Sequence, residues 1–377
     1  MESGRVRVAG KYLLQKKLGA GSFGDVFLGQ NTETREEVAI KLEDTQAKFP
    51  QVLAEAKIMS LLKGSGIPKV YWYGTEGPFN IMVLELLGSS LEEVFNKCSR
   101  KFTVKTVILL AEQILTRIET VHSQNYIHRD IKPDNFLLGS GKKSNILYII
   151  DFGLSKKYRD NTTKQHIKFS DKRSLTGTAR YASINSHMGN EQSRRDDIEA
   201  IMYMIIYLHL GTLPWQGISC NNKKEKYRMI MDMKLSLTPE QLCRDMPCEI
   251  ASMLSYAKNL RFEESPDYNY MKNQLMRISE KEGFTFDNKF DWNNPPSTPK
   301  NKKKIPKKKK NKSKASIKSI GEEIKEPPPK EDEVSTCLAT KRWPEFSDRD
   351  KIFSKIQSER ISPTEITTGD PKTCLIF

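Results

Sequence analysis

Cysteine is sparse in this chain: six residues among 377 (Cys98, Cys220, Cys243, Cys248, Cys337 and Cys374), with no Cys-x-x-Cys pair. Thiols scattered in this way read as the reduced cysteines of an intracellular protein. Long hydrophobic runs are missing as well. No stretch reaches the roughly 18 apolar residues of a membrane span. The longest candidate, Ile201–Leu210, has the length of a buried core helix, so the chain is not expected to be integral to a membrane. Met1-Glu-Ser-Gly-Arg5 lacks the apolar region of a secretory signal.

Acidic residues are in deficit, 47 against 62 Lys and Arg, a net charge of +15. The excess is uneven. From Lys300 to the end there are 20 basic and 12 acidic residues, a net of +8, which leaves +7 for a preceding stretch nearly four times as long. Such a charge suits acidic partners: phosphate, nucleic acid or anionic lipid. Lys300–Lys318 holds eleven lysines with no acid and no aromatic, and Glu322–Glu333 is acidic and Pro-rich. These segments bury too little apolar area to offset chain entropy and are expected to be disordered. The composition changes at Trp292-Asn-Asn-Pro-Pro-Ser-Thr-Pro299, so the globular part is expected to end near residue 297.

Before that boundary the hydrophobic share, 37% over the whole chain, is enough for a sizeable core. Tyr12-Leu-Leu, Asp25-Val-Phe-Leu and Glu37-Val-Ala-Ile-Lys-Leu42 are short, β-branched or aromatic runs bounded by turn residues, the pattern of an antiparallel meander. Val52, Ala56, Met59 and Leu62 recur at helical spacing up to Lys63. Strand-like runs follow at Val70–Tyr73 and Asn80–Glu85. From Thr103 onward the pattern is mostly helical, with segments at Val107–His122, Arg195–Leu210, Lys224–Lys234 and Cys248–Arg261. A small β-rich lobe followed by a larger helical lobe, with a hinge near Glu85–Gly88, is the expected layout.

Four motifs carry chemistry. Gly19-Ala-Gly21-Ser-Phe-Gly24-Asp-Val26 fits G-x-G-x-x-G-x-V. Alone it also fits a plain hairpin tip or a dinucleotide site, but here it lies between two strands, whereas a dinucleotide fingerprint opens a helix. Such a hairpin can lay bare N–H groups over a triphosphate. Val38-Ala39-Ile-Lys41 sets one lysine in an apolar strand. The plain alternative is an edge lysine in solvent, yet Glu55, fourteen residues on, supplies a partner that would hold it against phosphates. His128-Arg129-Asp130-Ile-Lys132-Pro-Asp-Asn135 is the most specific signal. Asp130 can orient a substrate hydroxyl and accept its proton, Lys132 can neutralise a γ-phosphate, and Asn135 can bind a metal ion. Asp151-Phe-Gly153, sixteen residues after Asn135, supplies a second metal ligand.

Together these parts resemble the protein kinases, and Lys132 two residues after the catalytic Asp resembles the Ser/Thr kinases. No Ala-Pro-Glu follows the DFG. In its place stand Thr176-Gly-Thr-Ala-Arg180-Tyr-Ala-Ser-Ile-Asn185 and Glu191-Gln-Ser-Arg-Arg-Asp-Asp197. With Glu85-Leu-Leu-Gly-Ser-Ser-Leu-Glu, Cys98-Ser-Arg-Lys-Phe and Leu213-Pro-Trp-Gln-Gly217, residues 10–295 or so resemble the casein kinase 1 family. The resemblance implies an α+β, two-lobed kinase using ATP and Mg²⁺, without need of an activation-loop phosphate. The implied substrates carry Ser/Thr three residues after an acidic or phosphorylated residue. It implies nucleotide contacts from Gly19, Gly21, Gly24, Val26, Ala39 and Lys41, with Met82 as gatekeeper and Glu85 and Leu87 offering hinge backbone. Asp197 resembles the helix Asp that props the catalytic loop, its plain alternative being an N-cap. Arg180, Gly217 and Lys226 resemble a priming-phosphate site; Arg129, Lys156 and Arg173 are candidates for a second anion site. For these basic residues the alternative is a solvated surface.

The chain ends in Cys374-Leu-Ile-Phe377, a C-a-a-X pattern whose Phe favours geranylgeranyl, although membrane-bound chains of this family more usually carry palmitoylated cysteines. The expected organisation is a short extension (1–11), a kinase domain (12–297, with lobes at about 12–87 and 88–297) and a basic tail (298–377). The expected protein is a monomer at the cytosolic face of a membrane, held by the lipid on Cys374 and by Lys300–Lys318, without specific nucleic acid. The alternatives are a nuclear location with the lysines as an import or nucleic-acid-binding signal, and a pseudokinase scaffold. Trp343–Phe346 and the helix-like run from Asp350 are candidate docking segments.

Overall fold

The computed structural model describes residues 6–21 and 24–293. The tail features Lys300–Lys318, Trp343–Phe346, the run from Asp350 and Cys374 lie outside the described residues. Two compact units are present, one built from residues 6–60 and 69–86, the other from residues 61–68 and 87–293.

The first unit is a six-stranded antiparallel sheet with one helix. Its strands are β1 (Arg7–Val8), β2 (Tyr12–Gly21), β3 (Gly24–Asn31), β4 (Glu37–Asp44), β5 (Val70–Glu76) and β6 (Phe79–Glu85), ordered β1-β2-β3-β4-β6-β5. The period of two along β4 divides the sheet. Val38, Ile40 and Leu42 join Val8, Tyr12, Ile81 and Val83 in a closed hydrophobic cluster. Ala39 and Lys41 take the opposite face. Helix α1 (Val52–Leu61) is tied to the sheet at its start by the buried carboxylate of Glu43, which accepts from the Gln51 and Val52 amides and from Asn80. An anion at a helix N-terminus satisfies donors that have no partner within the helix.

The second unit is mainly helical. Its centre is α5 (Arg194–Leu210), in which every residue from Ile198 to Leu208 is buried. A helix apolar on all sides belongs inside, as the run Ile201–Leu210 suggests. Around it lie α2 (Leu91–Lys97), α3 (Val104–Ser123), α4 (Ile184–His187), α6 (Lys223–Ser236), α7 (Pro239–Leu242), α8 (Cys248–Asn259) and α9 (Tyr268–Glu282). Two short antiparallel pairs complete it: β7 (Tyr126–Ile127) with β10 (Lys156–Lys157), and β8 (Phe136–Leu138) with β9 (Leu147–Ile149).

The expected elements are present with shifted ends. Helix α1 stops at Leu61, before the expected Lys63, whose amide donates instead to the Gln124 side chain at 2.8 Å. Helix α8 stops at Asn259 because Leu260 is extended. Helix α5 starts one residue earlier than expected, where the Asp196 carboxylate accepts the Ser193 amide at 2.7 Å and defines the turn. Helix α9 is an addition to the expected elements, with Met271, Leu275 and Ile278 burying one face of it.

Candidate active site

The glycine motif occupies the β2–β3 hairpin, with Gly19 paired to Val26 and Gly21 to Gly24. Gly24 is required for packing within the sheet. Its φ is +131°, and a Cβ there would lie 2.2 Å from the Leu42 carbonyl oxygen. Strand register then aligns Gly19, Val26, Lys41 and Met82 across four neighbouring strands, and sets Ala39 beside Leu84. Val26, Ala39, Lys41 and Met82 therefore share the face opposite the hydrophobic cluster. On that face Lys41 Nζ meets Glu55 Oε2 at 2.7 Å, with both side chains largely withdrawn from solvent. At the end of β6 the Glu85 amide donates to the Lys69 carbonyl.

In the second unit the β8–β9 pairing determines where two side chains fall. Phe136 faces Ile149, and the Ile150 amide donates to the Asn135 carbonyl at 3.0 Å. Asn135 thus stands across from Ile150, one residue from Asp151. The end of β8 is joined to Leu87's neighbour Gly88, whose amide donates to the Leu138 carbonyl at 2.7 Å.

Asp130, buried to 3% exposure, is the hub. One carboxylate oxygen receives the Thr178 amide at 3.0 Å and the Thr178 hydroxyl at 2.8 Å. The other meets Lys132 Nζ at 2.9 Å and the Asn135 amide at 3.3 Å. Asn135 also donates to the Asp130 carbonyl at 2.8 Å. Burial by itself pulls the Lys132 ammonium down, but the carboxylates of Asp130, Asp151 and Asp134 outweigh it and hold its pKa above the ordinary value. Lys132 stays charged beside Asp130.

Two supports hold this loop in place. His128 donates from Nε2 to the Ile150 carbonyl at 2.9 Å, while its Nδ1 accepts the Asp130 amide at 3.3 Å, a neutral tautomer bridging the two acidic motifs. Asp197, inside α5 and not at its cap, accepts the His128 and Arg129 amides at 2.7 and 2.8 Å. Its second support is His122 at 2.8 Å, which in turn meets Tyr268 on α9 at 2.6 Å. Burial disfavours the Asp197 carboxylate, yet His122 and His128 hold its pKa below the ordinary value. Gly177 permits the approach of the Thr178 segment: its φ is +90°, and a Cβ would lie 2.3 Å from the Arg129 carbonyl oxygen.

Asp151 takes a left-handed conformation, φ +64°, and its Oδ1 is buried without a hydrogen-bond partner. A buried carboxylate oxygen with no donor is disfavoured unless a cation meets it. No cluster of three His, Cys, Asp or Glu suited to a metal occurs among the described residues. One carboxylate and one amide are what an ion needs when substrate phosphates supply the remaining ligands, and Asp151 with Asn135 fits that description.

Against this geometry, the chain matches the family model described as Protein kinase domain over residues 12–288. It belongs to the protein kinase family. The strand-rich N-terminal part and helical C-terminal part are those of a protein kinase domain, and the activity is phosphotransfer from ATP, typically with a divalent metal.

The basic residues of this kinase fall into two groups. Lys156 and Arg173 both pair with the buried Glu191, at 2.9 and 2.7 Å. The Arg129 guanidinium donates to the Leu154 carbonyl at 2.6 Å. Burial disfavours the Glu191 carboxylate, but Lys156, Arg173 and Arg129 together bring its pKa below the ordinary value. Arg180 lies over the rings of Tyr181 and Tyr207 and, among the described residues, has no carboxylate within ion-pair distance. Its carbonyl accepts Trp215 Nε1 at 2.7 Å, which ties it to the loop that turns at Gly217, φ +76°. Lys226 sits in the first turn of α6, capped by Asn222. Thr178 and Glu191 stand inside sequence motifs, yet their roles are not legible there, because their partners lie 48 and 35 or fewer residues away.

Proposed function

We propose that this kinase phosphorylates Ser and Thr in substrates that carry an acidic or phosphorylated residue at position −3, as the casein kinase 1 family does. The carrying observation is the Asp130 hub: a buried carboxylate fixed by Lys132, Asn135 and Thr178. A carboxylate so held is oriented in advance for an incoming hydroxyl, and positioning with electrostatic stabilisation is what phosphoryl transfer requires. In this reading Asp130 orients the acceptor and takes its proton, and Lys132 offsets charge on the transferred group. Lys41, aligned by Glu55, and the backbone between Gly19 and Gly24 hold the triphosphate. Val26, Ala39, Met82, Glu85 and Leu87 serve the nucleotide base. Asn135 and Asp151 hold Mg²⁺, which supplies charge neutralisation on the phosphates when bound.

The −3 preference rests on Arg180, an arginine without an ion-pair partner among the described residues, together with Gly217 and Lys226. Arg129, Lys156 and Arg173 bring three positive charges against the carboxylates of Glu191 and Asp197, which leaves net positive charge for a second anion. All the catalytic positions are filled by competent residue types, which favours an active enzyme over a pseudokinase scaffold. The chain acts as a monomer and is held at the cytosolic face of a membrane by a lipid on Cys374 and by Lys300–Lys318. A nuclear location driven by the same lysines is the competing reading. Phosphoamino-acid analysis of peptide substrates, with Asp130→Asn as the control, tests the activity. Phosphate on Ser and Thr, lost in the variant on the order of a hundredfold, is the expected result. Phosphate on tyrosine alone, or undiminished turnover in the variant, overturns the reading.

A further inference from the structure

Lys234 on α6 is 1% exposed, and no other lysine among the described residues is buried to that degree. A buried ammonium is unfavourable unless its donors are met. Nζ donates to the carbonyls of Ala179 at 2.9 Å and Ala182 at 2.6 Å, and lies 3.2 Å from His187 Nε2, which itself faces the Ala179 carbonyl at 3.2 Å. Nζ lies over the rings of Tyr203 and Trp215, 4.9 and 5.0 Å from their centroids, while burial pulls its pKa down to about 7. Glu199, buried on α5, adds an opposite charge nearby. None of these groups belongs to the phosphotransfer machinery described above.

The target of Lys234 is a single turn. Residues 178–182 form no strand or helix: the Thr178 carbonyl accepts the Tyr181 and Ala182 amides, and the carbonyls of Ala179, Arg180 and Ala182 are met by side chains. Lys234 takes two carbonyls, Trp215 takes the Arg180 carbonyl at 2.7 Å, and Glu199 accepts the following Ile184 amide at 2.9 Å. The same turn carries Thr178, which holds Asp130 twice, and Arg180, whose guanidinium has no ion-pair partner among the described residues. Acceptor positioning and anion reading therefore issue from one backbone segment, and one ammonium sits beneath it.

We infer that Lys234 is a positioning residue, which fixes the 178–182 turn so that Thr178 holds Asp130 and Arg180 meets the acidic group of the substrate. The second half of this inference rests on the −3 preference proposed above; the first half does not.

The test uses the full-length enzyme with Lys234→Met, which removes all three donors, and Lys234→Gln, which keeps N–H donors without the charge. The readouts are kcat per ATP-site equivalent on an unprimed peptide, and the ratio of kcat/KM for a phospho-primed peptide to that for the unprimed one. A ratio does not depend on the folded fraction, so a merely structural lysine would leave it unchanged. The expected result is a fall of about tenfold in the ratio for Lys234→Met, the scale of one charge-assisted hydrogen bond, with kcat lowered as well and nucleotide KM unaltered. Lys234→Gln should fall between the Met variant and the wild type. An unchanged ratio together with an unchanged kcat in folded Lys234→Met overturns the inference; where that variant does not fold, the same outcome in Lys234→Gln overturns it. If the wild type itself shows no preference for the primed peptide, the −3 reading fails, and kcat alone then decides the role of Lys234.

Discussion

Thr178 donates twice to the same oxygen of Asp130, through its amide at 3.0 Å and its hydroxyl at 2.8 Å. Lys132 and Asn135 occupy the other oxygen. A carboxylate held at both oxygens has one orientation, and the residue that selects it lies 48 positions downstream of Asp130. Thr178→Ala keeps the amide contact and loses the hydroxyl. A hydrogen bond to a charged acceptor contributes roughly 1.5–3 kcal/mol, so kcat should fall at least about tenfold, whereas Thr178→Ser should stay near the wild type. Steady-state kinetics on a peptide substrate decides; equal kcat in the Ala variant would remove Thr178 from the positioning role.

The unpartnered Oδ1 of Asp151 leads to a metal-dependent prediction. Asp151→Asn replaces a charged ligand with a neutral one, and turnover should drop on the order of a hundredfold or more. The concentration of Mg²⁺ needed for half-maximal rate should rise at the same time. A variant that turns over slowly but shows an unaltered metal titration would place Asp151 in some role other than metal binding.

Arg180 and Lys226 are predicted to read the priming charge. With both replaced by Ala, kcat/KM for a phospho-primed peptide should fall far more than for an unprimed one, by roughly 1.5–3 kcal/mol for each lost charged hydrogen bond. Parallel assays on the two peptides make the comparison, and equal losses would exclude the role.

His187 makes a pH prediction. Burial, reinforced by the charge of Lys234, takes the imidazole pKa from 6.5 down to about 3. Between those values the unfolded chain binds a proton that the folded protein refuses, so this group destabilises the fold as pH falls below about 6.5. Asp196, with its pKa raised by burial to about 7, acts in the opposite sense, but it is present in both members of the comparison. His187→Gln should therefore gain on the wild type by on the order of 2 kcal/mol between pH 7.5 and pH 5. Urea unfolding at both pH values measures it, and a stability gap independent of pH would refute it.

The proposed membrane anchor would join the two tail features. A single lipid chain gives only marginal binding, so stable attachment takes a second signal, which the lysines of Lys300–Lys318 would supply at up to ~1 kcal/mol each near an anionic leaflet. Cys374→Ser should move most of the protein to a soluble or nuclear pool. Neutralising the lysines with Cys374 intact should weaken binding and make it less sensitive to salt. Fractionation of Cys374→Ser identical to the wild type would rule out the C-terminal lipid as anchor.

Much of the fold is legible in local pattern. Val38, Ile40 and Leu42 alternate with Ala39 and Lys41, and that period of two is enough to assign the two faces of β4. The unbroken apolar run of α5 announces a central helix. Helix α9 is harder to read because its apolar face is narrow and polar and charged residues together make up more than half of the segment, while β1 is only two residues long.

The sequence by itself determined the candidate catalytic inventory, because Asp130, Lys132 and Asn135 stand in one short loop and Asp151 follows at a spacing that a hairpin can close. Chain connectivity imposes those distances, and spacing therefore carries the information. Only the tertiary structure decided what steadies that inventory: Thr178 on Asp130, Asp197 under the loop with His122 and Tyr268 behind it, Glu191 between Lys156 and Arg173, and Lys234 beneath the 178–182 turn. Whether a lysine lies in solvent or is fully enclosed depends on which rings and carbonyls surround it after folding. Those neighbours come from separate elements, and nothing in the residues next to Lys234 along the chain specifies them.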